Sequence, residues 1–207
     1  NPKPTTIEIQ IQNCVATFSL GLKDLNLRQI SQRLVYTDFN PPKFAAMTIR
    51  IRNPKTTALT FSSGNIVCTG SKNIDESLLA CRKYTRLLQN AGIKVSFKDF
   101  RIQNIVAAAH CNFRVDLNNL VDTVNGFCSY EPALFPGLMY RVQVPATPGA
   151  KPNLVVFIVF QSGKCVITGG KNRIQICACW EKFFKEILCS YQTQQNNGSS
   201  GRSGKKT

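Results

Sequence analysis

The sequence predicts an α+β fold made of two tandem repeats, each with the order strand, helix, three strands, long helix. The main observation is an internal duplication: residues 12–16 return at 103–107, 39–50 at 130–141, and 61–73 at 160–172. The displacement is 91 positions for the first two segments and 99 for the third, so the second copy carries eight extra residues. Two copies of one unit predict approximate twofold symmetry, because each copy presents the same surface.

The first repeat is expected to begin with a half-buried strand followed by a short helix. Isoleucine alternates with glutamate or glutamine over residues 7–12, which is the period of a strand with one buried face, and the strand continues to Phe18. Apolar residues at helical spacing predict the helix over residues 25–34.

Three strands and a long helix complete this repeat. The strands are predicted over residues 44–51, 57–61 and 66–69, and a tight hairpin at 63–65 joins the last two. Asn73 followed by Glu76 resembles a capping box, and Gly92 suits the end of the helix. The helix face expected to be buried contains Leu78, Cys81, Thr85 and Leu88.

The second repeat follows the same order. A strand begins near Ile102, a short helix covers residues 117–124, three strands follow, and Asn172 with Gln175 caps a helix that reaches about Ser190. The buried face of this last helix is predicted to contain Cys177, Trp180, Phe184, Leu188 and Tyr191. The two repeats are thus predicted over residues 7–92 and 98–191, with a surface loop near 145–152 and a disordered tail over 192–207.

The composition indicates an anionic partner. The chain has 207 residues, with 26 basic and 11 acidic side chains and a net charge of +15. Such an excess suits DNA, RNA or an acidic membrane surface. No apolar run approaches the roughly 20 residues of a membrane span, and residues 1–4 do not resemble a signal peptide. We therefore expect a soluble intracellular protein that does not act at a membrane.

The nine cysteines are expected to be buried thiols in a reducing compartment, because they lie where small apolar residues would serve equally well. Cys177 and Cys179 are two positions apart on a helix and point in different directions, so they cannot share a metal ion. We expect no zinc, no other metal and no cofactor.

One predicted strand is apolar on both faces. Every residue from 154 to 160 is apolar, although the helices of such a fold cover only one face of an antiparallel sheet. The other face must therefore be covered by something outside the repeat itself.

Several motifs together resemble the C-terminal core of the TATA-binding-protein family, eukaryotic type, over about residues 7–191. They are Gln-Asn-x-Val-Ala twice, Pro-Lys-Thr-Thr-Ala-Leu at 54–59, Ser-Tyr-Glu-Pro at 129–132, Leu-Phe-Pro-Gly-Leu at 134–138, and Ser-Gly-x-x-Val-x-Thr-Gly twice. The resemblance implies a saddle: a curved ten-stranded antiparallel sheet with four helices on its convex face. Its concave face binds the DNA minor groove, which would explain the uncovered apolar face.

The resemblance also implies which residues contact DNA. In the family, two phenylalanine pairs intercalate at base steps, and they match Phe44 with Phe61 and Phe135 with Phe160. Asparagines at the centre of the site donate hydrogen bonds to the minor-groove acceptors of A·T pairs, with neighbouring threonine hydroxyls in the same role. The apolar contacts leave a guanine amino group without a partner and so disfavour G·C pairs. The matching base contacts are Asn13, Val15, Leu59, Val67, Thr69, Asn104, Val106, Ile158, Val166 and Thr168.

Phosphate and partner contacts follow from the same resemblance. The matching phosphate contacts are Arg50, Ser63, Lys72, Arg141, Ser162, Lys164 and Lys171, whereas Asn65 stands where the family commonly has a basic residue. Glu131 and Leu134 match the surface for the B-type general transcription factor, although Ala133 replaces the second acid of that surface. The basic patch for the A-type factor matches Arg82, Lys83 and Arg86.

These features predict a promoter-recognition factor of the nucleus that binds double-stranded TATA-containing DNA, TATA-binding-protein-associated factors and the RNA polymerase machinery. The exposed apolar face also leaves open a homodimer in the absence of DNA. Two alternatives are a divergent paralogue that acts mainly through protein contacts and an RNA-binding sheet. An enzyme is not expected, because His110 has no evident nucleophile and residues 169–172 lack the pattern of a phosphate-binding loop.

Overall fold

The computed structural model describes residues 8–124, 128–144 and 152–192. Within these ranges the chain forms one ten-stranded antiparallel sheet and four α-helices. The elements are β1 (Gln10–Ser19), α1 (Leu27–Arg33), β2 (Thr37–Asp38), β3 (Met47–Arg52), β4 (Lys55–Thr60), β5 (Asn65–Ser71), α2 (Ile74–Asn90), β6 (Lys98–His110), α3 (Leu117–Thr123), β7 (Cys128–Ser129), β8 (Gly137–Val144), β9 (Asn153–Phe160), β10 (Lys164–Gly170) and α4 (Arg173–Glu186), followed by a 3-10 turn, Leu188–Tyr191.

The sheet order has the symmetry expected from the duplication. The strands lie in the order β2-β3-β4-β5-β1-β6-β10-β9-β8-β7, so the two repeats meet where β1 pairs antiparallel with β6. From this centre outward, the equivalent strands of the two repeats follow one another in the same order on both sides. The predicted α+β fold of two repeats, with a ten-stranded sheet and four helices, is confirmed. The predicted loop at 145–151 and the tail at 193–207 lie outside the described residues.

Each repeat has its own core between the sheet and its long helix. In the first, Phe18, Met47 and Tyr84 are almost fully buried, and in the second Phe157 and Trp180 are. Tyr84 is held by a hydrogen bond between its hydroxyl and Thr56 Oγ1 at 3.0 Å. Burial raises the pKa of Tyr84 to about 12, so the phenol stays neutral at physiological pH.

The predicted helix caps are present. Asn73 Oδ1 accepts the backbone N–H of Glu76 at 2.7 Å, and Asn172 Oδ1 accepts that of Gln175 at the same distance. These bonds satisfy donors at the first turns of α2 and α4 that no helical carbonyl can reach. Gly92, directly after α2, has a φ of +82°, which suits a glycine at a helix end.

The last helix differs from its prediction in length and orientation. It ends at Glu186, and a 3-10 turn follows instead of further α-helix to Ser190. Its buried residues are Ile176, Trp180, Phe183 and, in the turn, Leu188, whereas Cys177, Phe184 and Tyr191 are only half-buried. Phe183 stacks on Phe157 of β9 with 4.4 Å between ring centroids, and this contact fixes the rotation of the helix.

The cysteines are mostly but not all buried. Five are buried and three are half-buried, but Cys189 is exposed, so the prediction of burial is wrong for that residue. Desolvation by burial raises the pKa of the Cys14 and Cys179 thiols, which keeps them protonated. No cluster of three or more His, Cys, Asp or Glu side chains suited to a metal occurs in the three described ranges. Over the same ranges no helix is both long and apolar enough to cross a membrane.

Candidate nucleic-acid interface

One face of the sheet is left without helices. In β1, the buried residues Cys14, Ala16 and Phe18 point toward the helices, so Asn13 and Val15 point to the opposite face. The same alternation holds in the other long strands. All ten base-contact residues expected from the resemblance lie at such alternate positions, and each is half-buried. These side chains are thus partly accessible on the face that the helices do not cover.

The predicted base contacts are also neighbours across strands. Residues directly opposite one another in a ladder have side chains in contact distance. The register sets nine of the ten opposite one another, in the pairs Asn13–Val106, Val15–Asn104, Val15–Thr69, Leu59–Val67 and Ile158–Val166. Thr168 lies opposite Val156 and is joined to Asn104 by a hydrogen bond, so the ten residues form one stripe across the sheet.

A slip in the strand alternation places each asparagine on this face. Ile11 and Cys14 are three residues apart, yet both pack against the core of the second repeat. The register between β1 and β6 shifts between Ile11 and Asn13, as a β-bulge requires. In β6, Ile102 and Ile105 also pack against that core from positions three apart. The two residues between each apolar pair, Gln then Asn, are therefore turned away from the helices.

Each asparagine is held by a threonine and a glycine from the adjacent strand. Asn13 Oδ1 accepts the backbone N–H of Gly70 at 2.8 Å and lies 3.1 Å from Thr69 Oγ1. In the second repeat Asn104 Oδ1 likewise accepts the N–H of Gly169 at 2.8 Å, but here the Asn104 Nδ2 donates to Thr168 Oγ1 at 3.1 Å. Because each carbonyl oxygen accepts hydrogen bonds within the protein, only amide N–H donors remain: both on Asn13 and, on Asn104, the one that does not donate to Thr168.

We call each asparagine, with the threonine and glycine that contact it, an asparagine clamp. The backbone conformation at both glycines suits no other residue type. Gly169 has a φ of +92°, and a Cβ at this position would lie 2.1 Å from the Leu154 carbonyl oxygen. Gly70 has a φ of +110°. The family resemblance implies a role at DNA for the threonines and none for the glycines. The duplicated Thr-Gly pair, at the same distance after each hairpin, was the available signal.

The four phenylalanines form two pairs, one in each repeat. The ring centroids of Phe44 and Phe61 are 6.5 Å apart at an interplanar angle of 69°, and those of Phe135 and Phe160 are 5.9 Å apart at 64°. We call these the first and second wedge pair. Phe44 is 51% exposed and Phe135 41%, whereas Phe61 and Phe160 are half-buried. The structure thus brings together each pair that the resemblance implied.

The residues expected at phosphates surround this face with exposed cations and hydroxyls. Six of the seven are exposed, and the exception is Arg141, which is half-buried because its Nη1 donates to Ser129 Oγ at 3.3 Å. The matching arginine of the first repeat, Arg50, is exposed. The two repeats therefore present similar but unequal rims of positive charge.

The turns that precede the two wedge pairs have the same backbone hydrogen bond but different side chains. Phe44 N–H donates to the Asn40 carbonyl at 2.9 Å, and Phe135 N–H donates to the Glu131 carbonyl at 2.9 Å. The exposed side chain between them is Lys43 in the first turn and Leu134, 85% exposed, in the second. One end of the sheet thus offers a basic turn and the other an acidic turn with an exposed apolar side chain.

The basic patch predicted on α2 is present, with one qualification. Arg82 and Arg86 are exposed, but Lys83 is half-buried and its Nζ donates to the Asn53 carbonyl at 2.8 Å. Lys83 therefore also holds the turn between β3 and β4. Its charge contributes to the patch, but replacing it disturbs a structural hydrogen bond.

Comparisons with known proteins agree with this arrangement. A family model described as transcription factor TFIID (or TATA-binding protein) matches residues 8–91 and 99–189. TATA-box-binding protein 1 of Triticum aestivum is 44% identical over 93% of this chain and 78% of its own, and the TATA-box-binding protein of Acanthamoeba castellanii is 43% identical over 91% and 69%. The solved structure of Methanococcus jannaschii TBP superposes with a TM-score of 0.74 at 33% identity, covering 87% of this chain and 99% of that one. The chain belongs to the TATA-binding-protein family.

Proposed function

We propose that this protein recognises TATA-containing duplex DNA through the minor groove, kinks it, and nucleates the assembly of a transcription initiation complex. It is a TATA-binding general transcription factor by family and not an enzyme. The observation that carries the proposal is the duplicated constellation on the uncovered face, one asparagine clamp and one wedge pair in each repeat. Duplex DNA has approximate twofold symmetry, so a twofold face matches it.

The proposed readout depends on what the minor groove displays. A·T and T·A pairs show only the acceptors adenine N3 and thymine O2, and G·C pairs add a donor amino group. The amide NH₂ of Asn13, and the N–H of the Asn104 amide that does not donate to Thr168, are donors that suit these acceptors. The apolar stripe around them, including Val67 and Val166, provides no acceptor for a guanine amino group. Burying that group without a partner would cost roughly 1–3 kcal/mol, which excludes G·C pairs.

The geometry of the wedge pairs favours duplex DNA over single-stranded RNA. Sheets that bind single strands use separate aromatic rings to stack separate bases. In this sheet the four rings stand in two contacting pairs, which suits insertion of each pair at one base step. Pyrimidine–purine steps such as TA are easily unstacked, so TA-rich sequences would resist this deformation least.

The positive charge predicts binding that is strongly weakened by salt. If the lysines and arginines that face DNA, in the rim and beyond it, neutralise roughly six to ten phosphates, a similar number of counterions is released on binding. The affinity for a labelled TATA duplex should then fall by about three to five orders of magnitude between about 50 and 200 mM salt. Titrations across this range measure the slope. A flat response would show that the +15 charge serves some other partner.

We infer that the acidic turn at one end of the sheet and the α2 patch bind different components of the transcription machinery. The acidic turn with Glu131 and Leu134 suits the B-type factor, and the basic patch with Arg82, Lys83 and Arg86 suits the A-type factor. TATA-binding-protein-associated factors, the RNA polymerase machinery and a DNA-free homodimer through the apolar face are further proposed partners. Such a role places the protein in the nucleus.

Charge reversal should separate DNA binding from partner binding. We expect Glu131→Arg to weaken the B-type factor and Arg82→Glu to weaken the A-type factor, because each places a like charge opposite the partner. Arg82 is preferable to Lys83 for this purpose, since Lys83 also holds the Asn53 carbonyl. Mobility shifts of a TATA duplex with and without each factor measure both properties.

The two variants are each other's controls. Each should retain the binary complex with DNA and lose only its own ternary complex. If both variants lose binding to DNA alone, these surfaces contact DNA and their assignment to partners is wrong.

A further inference from the structure

Gly137 contacts the second wedge pair in a way that its counterpart in the first repeat does not. A Cβ added to Gly137 would lie 2.6 Å from Phe135 Cε1, 2.8 Å from Ile158 Cγ2 and 3.2 Å from Phe160 Cε1. Real side chains essentially never approach a Cβ below 3.0 Å. The Phe135 ring and Ile158 therefore occupy the space in which any other residue at position 137 would place its first side-chain atom.

This glycine is not required by the backbone. Its φ lies outside the left-handed region that favours glycine, unlike those of Gly163 and Gly169. It lies within the regular ladder of β8 and β9, directly opposite Phe160. An alanine could adopt this extended conformation, so the absence of a side chain serves the packing of the rings.

The two repeats differ at this position. Ala46 stands 91 positions earlier, carries a Cβ and is 2% exposed. The rings of the first wedge pair are correspondingly farther apart, 6.5 Å against 5.9 Å, and Phe44 is 51% exposed where Phe135 is 41% exposed. The second pair thus packs against a residue without a side chain, whereas the first repeat has a methyl group at the matching position.

We propose that Gly137 is a positioning residue: it determines where the Phe135 and Phe160 rings lie on the sheet. The two wedge pairs therefore differ in ring separation and in exposure. In the free protein the two rings of the second pair lie closer together than those of the first pair, and Phe135 is less exposed than Phe44. This proposal rests on the proposed function and adds that the two kinks of bound DNA are set independently, the second by Gly137 acting through Phe135.

The test is the substitution Gly137→Ala, with Ala46→Gly as the matched control. Permanganate oxidises thymines that are unstacked, so it reports each opened base step on a TATA duplex saturated with protein. Phe44→Ala and Phe135→Ala first assign each opened step to one wedge. Gly137→Ala should then reduce thymine reactivity several-fold at the Phe135 step only and lower affinity roughly tenfold. Ala46→Gly should leave the Phe135 step unchanged.

The background Phe135→Ala distinguishes positioning from a general role in folding. With the ring removed, adding Gly137→Ala should leave the permanganate pattern unchanged and should lower the melting temperature less than it does in the wild-type background, because the Ile158 contact remains. If Gly137→Ala alone does not fold, the proposal requires that Gly137→Ala with Phe135→Ala does fold. Failure of both to fold, an equal loss at both steps, or wild-type reactivity at both steps would overturn the proposal. Wild-type protein that opens no step would instead overturn the proposed function.

Discussion

Replacing Phe44 and Phe135 together by alanine is expected to straighten bound DNA while leaving the fold nearly as stable as before. About half of each ring is in contact with solvent in the free protein, so its truncation removes little buried surface. Insertion at a base step, in contrast, requires the ring itself. We expect a lower energy transfer between end labels that report the bend, and an affinity lower by roughly tenfold or more.

Phe157→Ala provides the matched control. Phe157 lies on β9 with Phe160, but it is fully buried and stacks on Phe183. Its truncation should cost roughly 3–5 kcal/mol of folding free energy, which in a protein of this size lowers the melting temperature by about 6–20 °C. If the Phe44 and Phe135 variant melts as early as Phe157→Ala, those rings belong to the core and are not wedges.

Replacing Asn13 and Asn104 together by aspartate should abolish tight DNA binding without unfolding the protein. An aspartate oxygen can still accept the N–H of Gly70 or Gly169, which preserves both clamps. The change removes the outward amide donor and places a negative charge against the minor-groove acceptors. The loss should be roughly 1–3 kcal/mol or more for each site, which is about tenfold or more in affinity for each.

Asn90→Asp controls for the added charge, because Asn90 is exposed at the end of α2, on the helix side of the sheet. It should reduce DNA affinity only slightly. Fluorescence titration with an A·T-rich duplex and thermal melting measure binding and fold separately. Unchanged affinity of the variant with both aspartates would show that the amides do not donate to bases, and the proposed readout would be wrong.

Much of the fold was predictable because the chain repeats itself. The same strand and helix signals occur twice, and the capping pairs at Asn73 and Asn172 mark the starts of both long helices. The residue pattern alone does not indicate strands β2 and β7, because two residues are too short to show any periodicity, and only the resemblance implied ten strands. The orientation of α4 was missed because its sequence is apolar on several sides, so only packing on Phe157 decides which residues are buried.

The residues of the candidate site were predictable, but the orientation of their side chains was not. The resemblance identified both asparagines, yet the bulges that turn them outward and the Thr-Gly clamps that orient them required the structure. In hindsight the bulge has a signal. Apolar residues three apart within a strand, Ile11 and Cys14, break the period of two that a regular strand would keep. No sequence pattern indicates the role proposed for Gly137, because a glycine in an extended conformation cannot be distinguished from any other strand residue in the sequence.

The central claim is that DNA is read in the minor groove, and base substitution tests it directly. An inosine·cytosine pair lacks the guanine amino group, so its minor groove resembles A·T while its major groove resembles G·C. A duplex in which every A·T pair of the element is replaced by inosine·cytosine should therefore bind within a few-fold of the TATA duplex, and the corresponding G·C duplex should not bind specifically. If the inosine duplex behaves like the G·C duplex instead, the protein reads the major groove and the account given above is contradicted.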